Sequence, residues 1–251
     1  MQHHFAALLT DVEGTTTSLD FVKNVLFPYA ANNSLGFLQR IIDLSENEKS
    51  DQFRQLIIEL INLSNESTDP KIVKISSSKD LGSKLASNVQ RWTQQDRKLT
   101  ALKKLQGLIW EEGYRNGSLQ SHVFPDVPKA FQTLSELGIP IFIFSSGSVH
   151  AQRLLFSHTQ FGDISKFISG YFDTETGPKF ESDSYQNIAK QINCPVANVM
   201  FLTDAEKEAV SADEAGLQVR LFVREGNAPL SEDAAKKFKT LESFQNLLRI
   251  D

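Results

Sequence analysis

Three apolar runs that each end in a cluster of polar residues leave this chain few possible folds. They are Phe5 to Thr10, followed by Asp11; Ile139 to Phe144, followed by Ser145-Ser146-Gly147; and Val199 to Thr203, followed by Asp204. None of these runs alternates polar with apolar residues, which is typical of strands covered on both faces of a parallel sheet. A fourth run, Val219 to Val223, has the same character.

Helical segments separate these predicted strands. Asp126-Val127-Pro128 has the pattern of a helix start, with proline in the first turn, and Gly138 suits the end of that helix. Ser184 to Ile192 and Ala205 to Ala215 are shorter helix candidates. Alternating strands and helices predict a Rossmann-like α/β core with a parallel sheet, whose chemistry lies at the carboxyl ends of the strands.

The segment from about Phe21 to Phe124 differs from this core. It is helical in its apolar period, with polar interruptions expected to be loops at 45–50, 64–70 and 76–79, and Ile72 to Ile75 is its one candidate strand. We therefore predict a core formed by residues 1–20 and 125–251. Residues 21–124 are predicted to form a helical insertion after the first strand.

Charge and cysteine content exclude several classes of protein. The 31 acidic and 26 basic residues give a net charge of −5, so an overall nucleic-acid-binding role is not expected, and an anionic ligand would need local attraction. No apolar run approaches the roughly 18 residues of a membrane helix, and the N-terminus lacks the pattern of a secretory signal. Cys194 is the single cysteine, which favours a reducing compartment. We expect the cytoplasm, with the nucleus left open.

The segment after the first strand carries the sharpest chemical pattern. Asp11 and Glu13 lie two residues apart and are followed by Gly14-Thr15-Thr16. A carboxylate at a strand tip can attack phosphorus and form an aspartyl phosphate, provided that a cation neutralises the crowded negative charge. Hard oxygen ligands of this kind suit Mg²⁺. By itself, the pattern also fits a strand followed by a polar turn.

The other polar clusters supply complementary parts. Ser145 and Ser146 precede a predicted helix, where hydroxyl and amide groups can bind an anion or simply cap the helix. Lys179 follows Gly177-Pro178 and could contact a phosphate oxygen, although most lysines are only solvated. Asp204 could complete a metal site, whereas Glu206 and Glu208 could equally favour the start of a helix. Together these are the groups that phosphoryl transfer requires.

These motifs resemble those of the haloacid dehalogenase superfamily, and more narrowly the enolase-phosphatases (acireductone synthases) of methionine salvage. Superfamily members usually carry aspartate where this chain has Glu13. The resemblance rests on these further segments: Phe21-Val22-Lys23, Leu26-Phe27-Pro28-Tyr29, Ser145 to Val149, Tyr171 to Thr174, Gly177 to Ser182 and Val223 to Ala228. It covers nearly all of the core and both ends of the insertion.

The resemblance implies a role for each candidate residue. Asp11 would be the nucleophile, with Glu13 as its catalytic partner. Asp11, Glu13 and Asp204 would hold one Mg²⁺ per subunit, Glu13 through its carboxylate or its main-chain carbonyl. Ser145, Ser146 and Lys179 would bind the substrate. The helical insertion would act as a cap, and we expect a monomer with no nucleic-acid or membrane partner.

The implied substrate is the small phosphorylated diketone 2,3-diketo-5-methylthiopentyl-1-phosphate, which is enolised and then dephosphorylated to an acireductone. Three alternatives stay open: a phosphatase of the same superfamily with another substrate, a receiver domain that only accepts phosphate on Asp11, and a binding protein without activity. Receiver domains lack a helical insertion of about a hundred residues, an unusually long connection between strands.

Overall fold

The computed structural model describes residues 5–45 and 47–248. The first four and last three residues of the predicted core, and Glu46 of the predicted insertion, lie outside this range. The chain divides into two compact units. One comprises the residues up to Val22 and those from Gln120 onwards, and the other comprises Lys23–Leu119.

A six-stranded parallel sheet forms the centre of the first unit. Its strands are β1 (Ala7–Thr10), β2 (Ile141–Phe144), β3 (Gly170–Phe172), β4 (Val199–Thr203), β5 (Gln218–Phe222) and β6 (Thr240–Leu241). They lie in the order β3-β2-β1-β4-β5-β6, and every neighbouring pair is parallel. The predicted α/β class and parallel sheet are confirmed.

The register of the sheet brings three polar clusters to one edge. Thr10, the last residue of β1, pairs with Ile143 of β2 and Leu202 of β4. The residues that follow these strands therefore leave the sheet at the same edge, next to one another. Leu8 and Leu9 of β1 are fully buried, because helices cover both faces of a parallel sheet.

Seven helices of the first unit connect or flank these strands. They are α1 (Leu19–Phe21), α6 (Val127–Glu136), α7 (Val149–Ser157), α8 (Ser182–Gln191), α9 (Glu206–Glu214), α10 (Glu232–Lys237) and α11 (Phe244–Leu247). As predicted, Pro128 lies in the first turn of α6, and Gly138, with a positive φ of 73°, follows the end of that helix. Short 3₁₀ turns at Ser165–Phe167 and Val196–Asn198 precede β3 and β4.

Four long helices build the second unit, after a π-helical turn at Val22–Leu26. They are α2 (Phe27–Asp43), α3 (Asp51–Glu66), α4 (Leu81–Gln94) and α5 (Thr100–Arg115). Leu38, Leu60, Leu85 and Leu105, one from each helix, are all fully buried. This unit therefore has an apolar core of its own.

The expected strand at Ile72 to Ile75 does not form. Asn88 accepts from Val73 N at 2.7 Å and donates to Val73 O at 2.8 Å. Asn65 makes the same pair of bonds with Ile75, at 2.8 and 3.1 Å. Amide side chains thus satisfy the backbone groups that a neighbouring strand would otherwise pair with, and the segment stays an extended loop.

One further detail differs from expectation. Helix α3 continues to Glu66, so the loop that we expected from Ser64 begins at Ser67. Across the described residues, no helix combines the length and the apolar character needed to cross a membrane.

Candidate active site

Asp11 lies directly after the central strand β1. Its backbone N–H donates to Leu202 O of β4 at 2.8 Å. The hydrogen bonding of the sheet therefore extends to Asp11 and fixes its backbone just before the turn. Only 6% of Asp11 is exposed. A carboxylate in this position is rigid and largely removed from bulk water, as a nucleophile for a phosphate ester should be.

A tight turn follows Asp11 and brings Asp204 close to its backbone. The N–H groups of Thr16 and Thr17 both donate to Val12 O at 2.9 Å, and Gly14 N donates to Thr17 O at 2.8 Å. Gly14 has a φ of +70°, and a Cβ atom there would lie 2.2 Å from Asp204 Oδ2. Glycine is therefore required both for the turn and for the approach of the Asp204 carboxylate. Glu13 is half-buried in this turn.

Lys179 reaches the same place from another loop. Its Nζ atom lies 2.5 Å from Asp11 Oδ1 and 2.7 Å from Glu208 Oε2, and only 3% of its side chain is exposed. Thr203 Oγ1 donates to Glu208 Oε2 at 2.9 Å. A lysine at the site is thus held between two carboxylates, one after β1 and one in α9.

Three residues fix the loop that carries Lys179. Tyr185 OH donates to Lys179 O at 2.6 Å, and Ser184 Oγ donates to Pro178 O at 2.7 Å. A Cβ atom on Gly177 would lie 2.2 Å from Ser184 Oγ. The start of α8 therefore positions the lysine through its backbone.

The site holds more negative charge than Lys179 neutralises. Burial by itself lowers the pKa of Lys179, but the charges and hydrogen bonds of Asp11 and Glu208 outweigh it and raise that pKa, so the ammonium group stays protonated. Burial, followed by the charge of Asp11, raises the pKa of Asp204 and that of Glu208 to about 7. A cation beside Asp11 and Asp204 would relieve this repulsion.

The donor set fits a magnesium ion. Mg²⁺ typically binds one or two carboxylates together with water and substrate phosphate oxygens, and Asp11 and Asp204 are two such carboxylates. Within residues 5–45 and 47–248, no three histidine, cysteine or acidic side chains converge as a complete metal-binding group.

Ser145 and Ser146 follow the neighbouring strand β2. Ser145 is 6% exposed and its Oγ accepts from Gly147 N at 3.2 Å, whereas Ser146 is exposed. Gln152 of α7 donates to Gly147 O at 2.8 Å and to Phe172 O at 2.9 Å, which ties this loop to β3. The loop is fixed where an anion could meet its amide and hydroxyl groups.

The predicted site residues are therefore not all in direct contact with one another. Lys179 contacts Asp11 directly, and Asp204 lies against the turn that contains Glu13. Ser145 and Ser146 lie at the end of the adjacent strand. Glu208, whose role we left open, belongs to this cluster, and its signal in the sequence was its place in the first turn of the helix that follows β4. Glu206 instead accepts from Ser231 Oγ at 2.9 Å.

Comparisons with known proteins agree with this geometry. A family model described as haloacid dehalogenase-like hydrolase matches residues 5–216. The chain is 44% identical over 248 residues to enolase-phosphatase E1 of Caenorhabditis briggsae, covering 97% of each chain. It is 44% identical over 225 residues to enolase-phosphatase E1 of Methylococcus capsulatus, covering 90% of this chain and 92% of the relative.

Solved structures show the same fold. The UTR4 protein of Saccharomyces cerevisiae superposes with a TM-score of 0.77 at 29% identity, over 96% of this chain and 99% of that one. The L-2-haloacid dehalogenase RSc1362 superposes with a TM-score of 0.53 at 16% identity, over 98% of this chain and 97% of that one. The latter likeness supports the fold alone.

Proposed function

The chain belongs to the haloacid dehalogenase-like hydrolases and, among them, to the enolase-phosphatase E1 family, and on this premise we propose how its residues carry out the reaction. It is an enzyme with enolase and phosphatase activities, and it works as an acireductone synthase in methionine salvage. It enolises 2,3-diketo-5-methylthiopentyl-1-phosphate and then releases phosphate from the enol.

The contact between Lys179 and Asp11 carries the proposal for the phosphatase step. With Oδ1 bound to Lys179 Nζ at 2.5 Å, the Asp11 carboxylate is held in one orientation. We propose that a carboxylate oxygen of Asp11 attacks phosphorus, so that an Asp11–phosphate bond forms and the bond from phosphorus to the enol oxygen breaks. Water then attacks the phosphorus of the aspartyl phosphate, which releases inorganic phosphate and restores Asp11.

Lys179 has a second role in this step. Its charge would face the phosphoryl oxygens in the ground state and in the transition state, and burial makes that charge stronger in effect than a solvated one. Ser145 and Ser146 would donate to the remaining phosphate oxygens. These serines follow β2, which is adjacent to β1, so they and Asp11 could contact one phosphate at the same edge of the sheet.

We propose that Asp11, Asp204 and Glu13 hold one Mg²⁺ per subunit, with Glu13 contributing its main-chain carbonyl. Bound there, the ion would neutralise charge on the phosphate oxygens. The raised pKa of Asp204 fits a carboxylate that lacks sufficient positive charge nearby.

Glu13 is proposed to move the proton in the enolisation. The enol contains a double bond between C1 and C2, so a proton leaves C1 and one is added to the oxygen on C2. The leaving group of the later hydrolysis is then a delocalised enediolate, which needs less protonation than an alkoxide. A glutamate in place of the usual aspartate is one methylene longer and can serve this earlier transfer.

Three remaining features are proposals of the same kind. We propose that the helical unit Lys23–Leu119 serves as the cap domain, that the enzyme is a monomer, and that it acts in the cytoplasm or nucleus.

A substrate comparison tests this function against the nearest alternative, a phosphatase for other small phosphate esters. We expect phosphate release from the diketone, together with the ultraviolet absorbance of the enol, and little release from simple alkyl phosphates. Chelation by EDTA should stop release, and added Mg²⁺ should restore it. Equal turnover of alkyl phosphates would favour the alternative, and full activity in EDTA would exclude the magnesium proposal.

A further inference from the structure

The loop after β5 touches the turn after β1 but has no part in the reaction described above. It contains Arg224 and Asn227, which belong to the segment Val223 to Ala228. Both side chains donate hydrogen bonds to backbone oxygens of the turn that contains Glu13. Their contacts raise the question of what holds that turn in place.

The turn leaves two of its carbonyl groups for other partners. Its N–H groups from Gly14 to Thr17 all bond within the turn, to Val12 O or Thr17 O. Asn227 Nδ2 donates to Gly14 O at 2.9 Å. Arg224 donates to Thr15 O from Nε at 3.3 Å and from Nη2 at 3.2 Å. One loop thus satisfies two consecutive carbonyls of the turn.

Arg224 is itself held rigidly. Its Nη1 and Nη2 atoms each lie 3.0 Å from an oxygen of Asp126, in a two-point pair that is mostly buried. Its guanidinium lies 4.2 Å from the ring centroid of Phe124 and 4.8 Å from that of Phe222. Paired and stacked, the guanidinium has little freedom to leave Thr15 O.

Asn227 acts at the point where the turn meets Asp204. A Cβ atom on Gly14 would lie 2.2 Å from Asp204 Oδ2 and 3.0 Å from Asn227 Oδ1. The Asp204 carboxylate and the Asn227 amide therefore both approach Gly14 on the side where a side chain would begin.

We propose that Arg224 and Asn227 are positioning residues, which fix the Glu13 turn against Asp204 so that its backbone is in place for the metal and its side chain for proton transfer. This inference rests on the proposed function for its consequences in catalysis. We call the hydrogen bonds from Arg224 and Asn227 to Thr15 O and Gly14 O the clamp. The clamp is a property of the turn, and its effect can be measured without substrate.

Asn227→Leu tests the clamp, because leucine has nearly the same shape as asparagine but cannot donate to Gly14 O. Amide hydrogen exchange of residues 12–17 should become about fivefold faster, the effect expected from the loss of one hydrogen bond. Calorimetric titration with Mg²⁺ alone should show affinity weakened about tenfold, as is usual when a partner behind a metal ligand is lost. Arg224→Lys, which cannot bind Thr15 O and both Asp126 oxygens at once, should act in the same direction.

Ser231→Ala is the matched control. It removes the hydroxyl bond from Ser231 to Glu206 and the cap that this hydroxyl forms on α10, yet it leaves both contacts to the turn intact. Exchange and Mg²⁺ affinity should therefore match the parent protein. Unchanged exchange at residues 12–17 in Asn227→Leu would overturn the clamp. Failure of the proposed function would appear differently, as absent diketone turnover in the parent protein while the exchange difference persists.

Discussion

Lys179 Nζ lies 2.5 Å from Asp11 Oδ1, although 168 residues separate the two in the chain, and both side chains are almost completely buried. A buried ion pair is costly to break, because removal of one partner leaves the other charge without compensation. The same contact orients the carboxylate that we propose as nucleophile. Stability and catalysis therefore depend on one pair of atoms.

Lys179→Met should reduce both properties. We expect the free energy of unfolding to fall by about 3–5 kcal/mol and kcat/KM to fall by at least about 100-fold. Urea unfolding and steady-state kinetics measure the two effects. Lys237→Met is the control, since its pair with Asp213 is half-exposed and should contribute at most about 1 kcal/mol. Kinetics like those of the parent protein would remove Lys179 from the site.

Glu208→Gln should lower kcat with little loss of stability. Glutamine keeps the length of the side chain, but it removes one of the two charges that hold Lys179. Burial of a carboxylate whose pKa is about 7 is itself unfavourable, so its neutral replacement is not expected to destabilise the fold. We expect a fall in kcat of about tenfold, whereas Glu206→Gln should leave kcat unchanged. Equal kinetics for the two variants would contradict this placement of Glu208.

Local pattern was sufficient to predict most of the sheet and its catalytic edge. The long apolar strands β1, β2, β4 and β5 were predicted within two residues, because buried parallel strands form continuous apolar runs. The strands β3 and β6 were not predicted. They have only three and two residues, and such short runs exist as strands only because neighbouring strands provide hydrogen-bond partners.

Contacts between distant segments could not be predicted in the same way. Asp11 and Asp204 were recognised as polar residues at strand ends, and Lys179 was recognised as a lysine that follows Gly177-Pro178. Their distances depend on how the loops pack, as do the contacts of Arg224 and Asn227 with the turn. The prediction of a strand at Ile72 to Ile75 was wrong for the same reason, since the amide groups of Asn65 and Asn88 that pair with this segment lie elsewhere in the chain.

Glu13→Gln should slow enol formation more than it slows dephosphorylation of pre-formed enol phosphate. The amide cannot accept the proton from C1, whereas the enediolate leaving group needs little acid catalysis. Ultraviolet absorbance follows the first step and phosphate release follows the second. An equal decrease in both rates would assign Glu13 mainly to the metal site, and a decrease in hydrolysis alone would make it an ordinary general acid.

His122 should make stability depend on pH. Ser18 N donates to its Nδ1 atom at 3.3 Å, and burial, together with the charge of Arg224, lowers its pKa below 6.5. The unfolded chain therefore binds the proton first, so stability is complete above about pH 6.5 and falls as the pH decreases. In urea unfolding between about pH 5 and pH 8, His122→Asn should show a flatter dependence, because asparagine retains an acceptor but does not titrate. An unchanged slope would contradict this assignment.

Asp11→Asn, assayed for phosphate release from the diketone phosphate in the presence of Mg²⁺, tests the nucleophile most directly. Asparagine has almost the same shape as aspartate but cannot form the aspartyl phosphate. We expect no phosphate release above background, with a circular dichroism spectrum and an unfolding transition that show an intact fold. Phosphate release by the folded variant at more than a small fraction of the parent rate would contradict the assignment of Asp11 as the nucleophile.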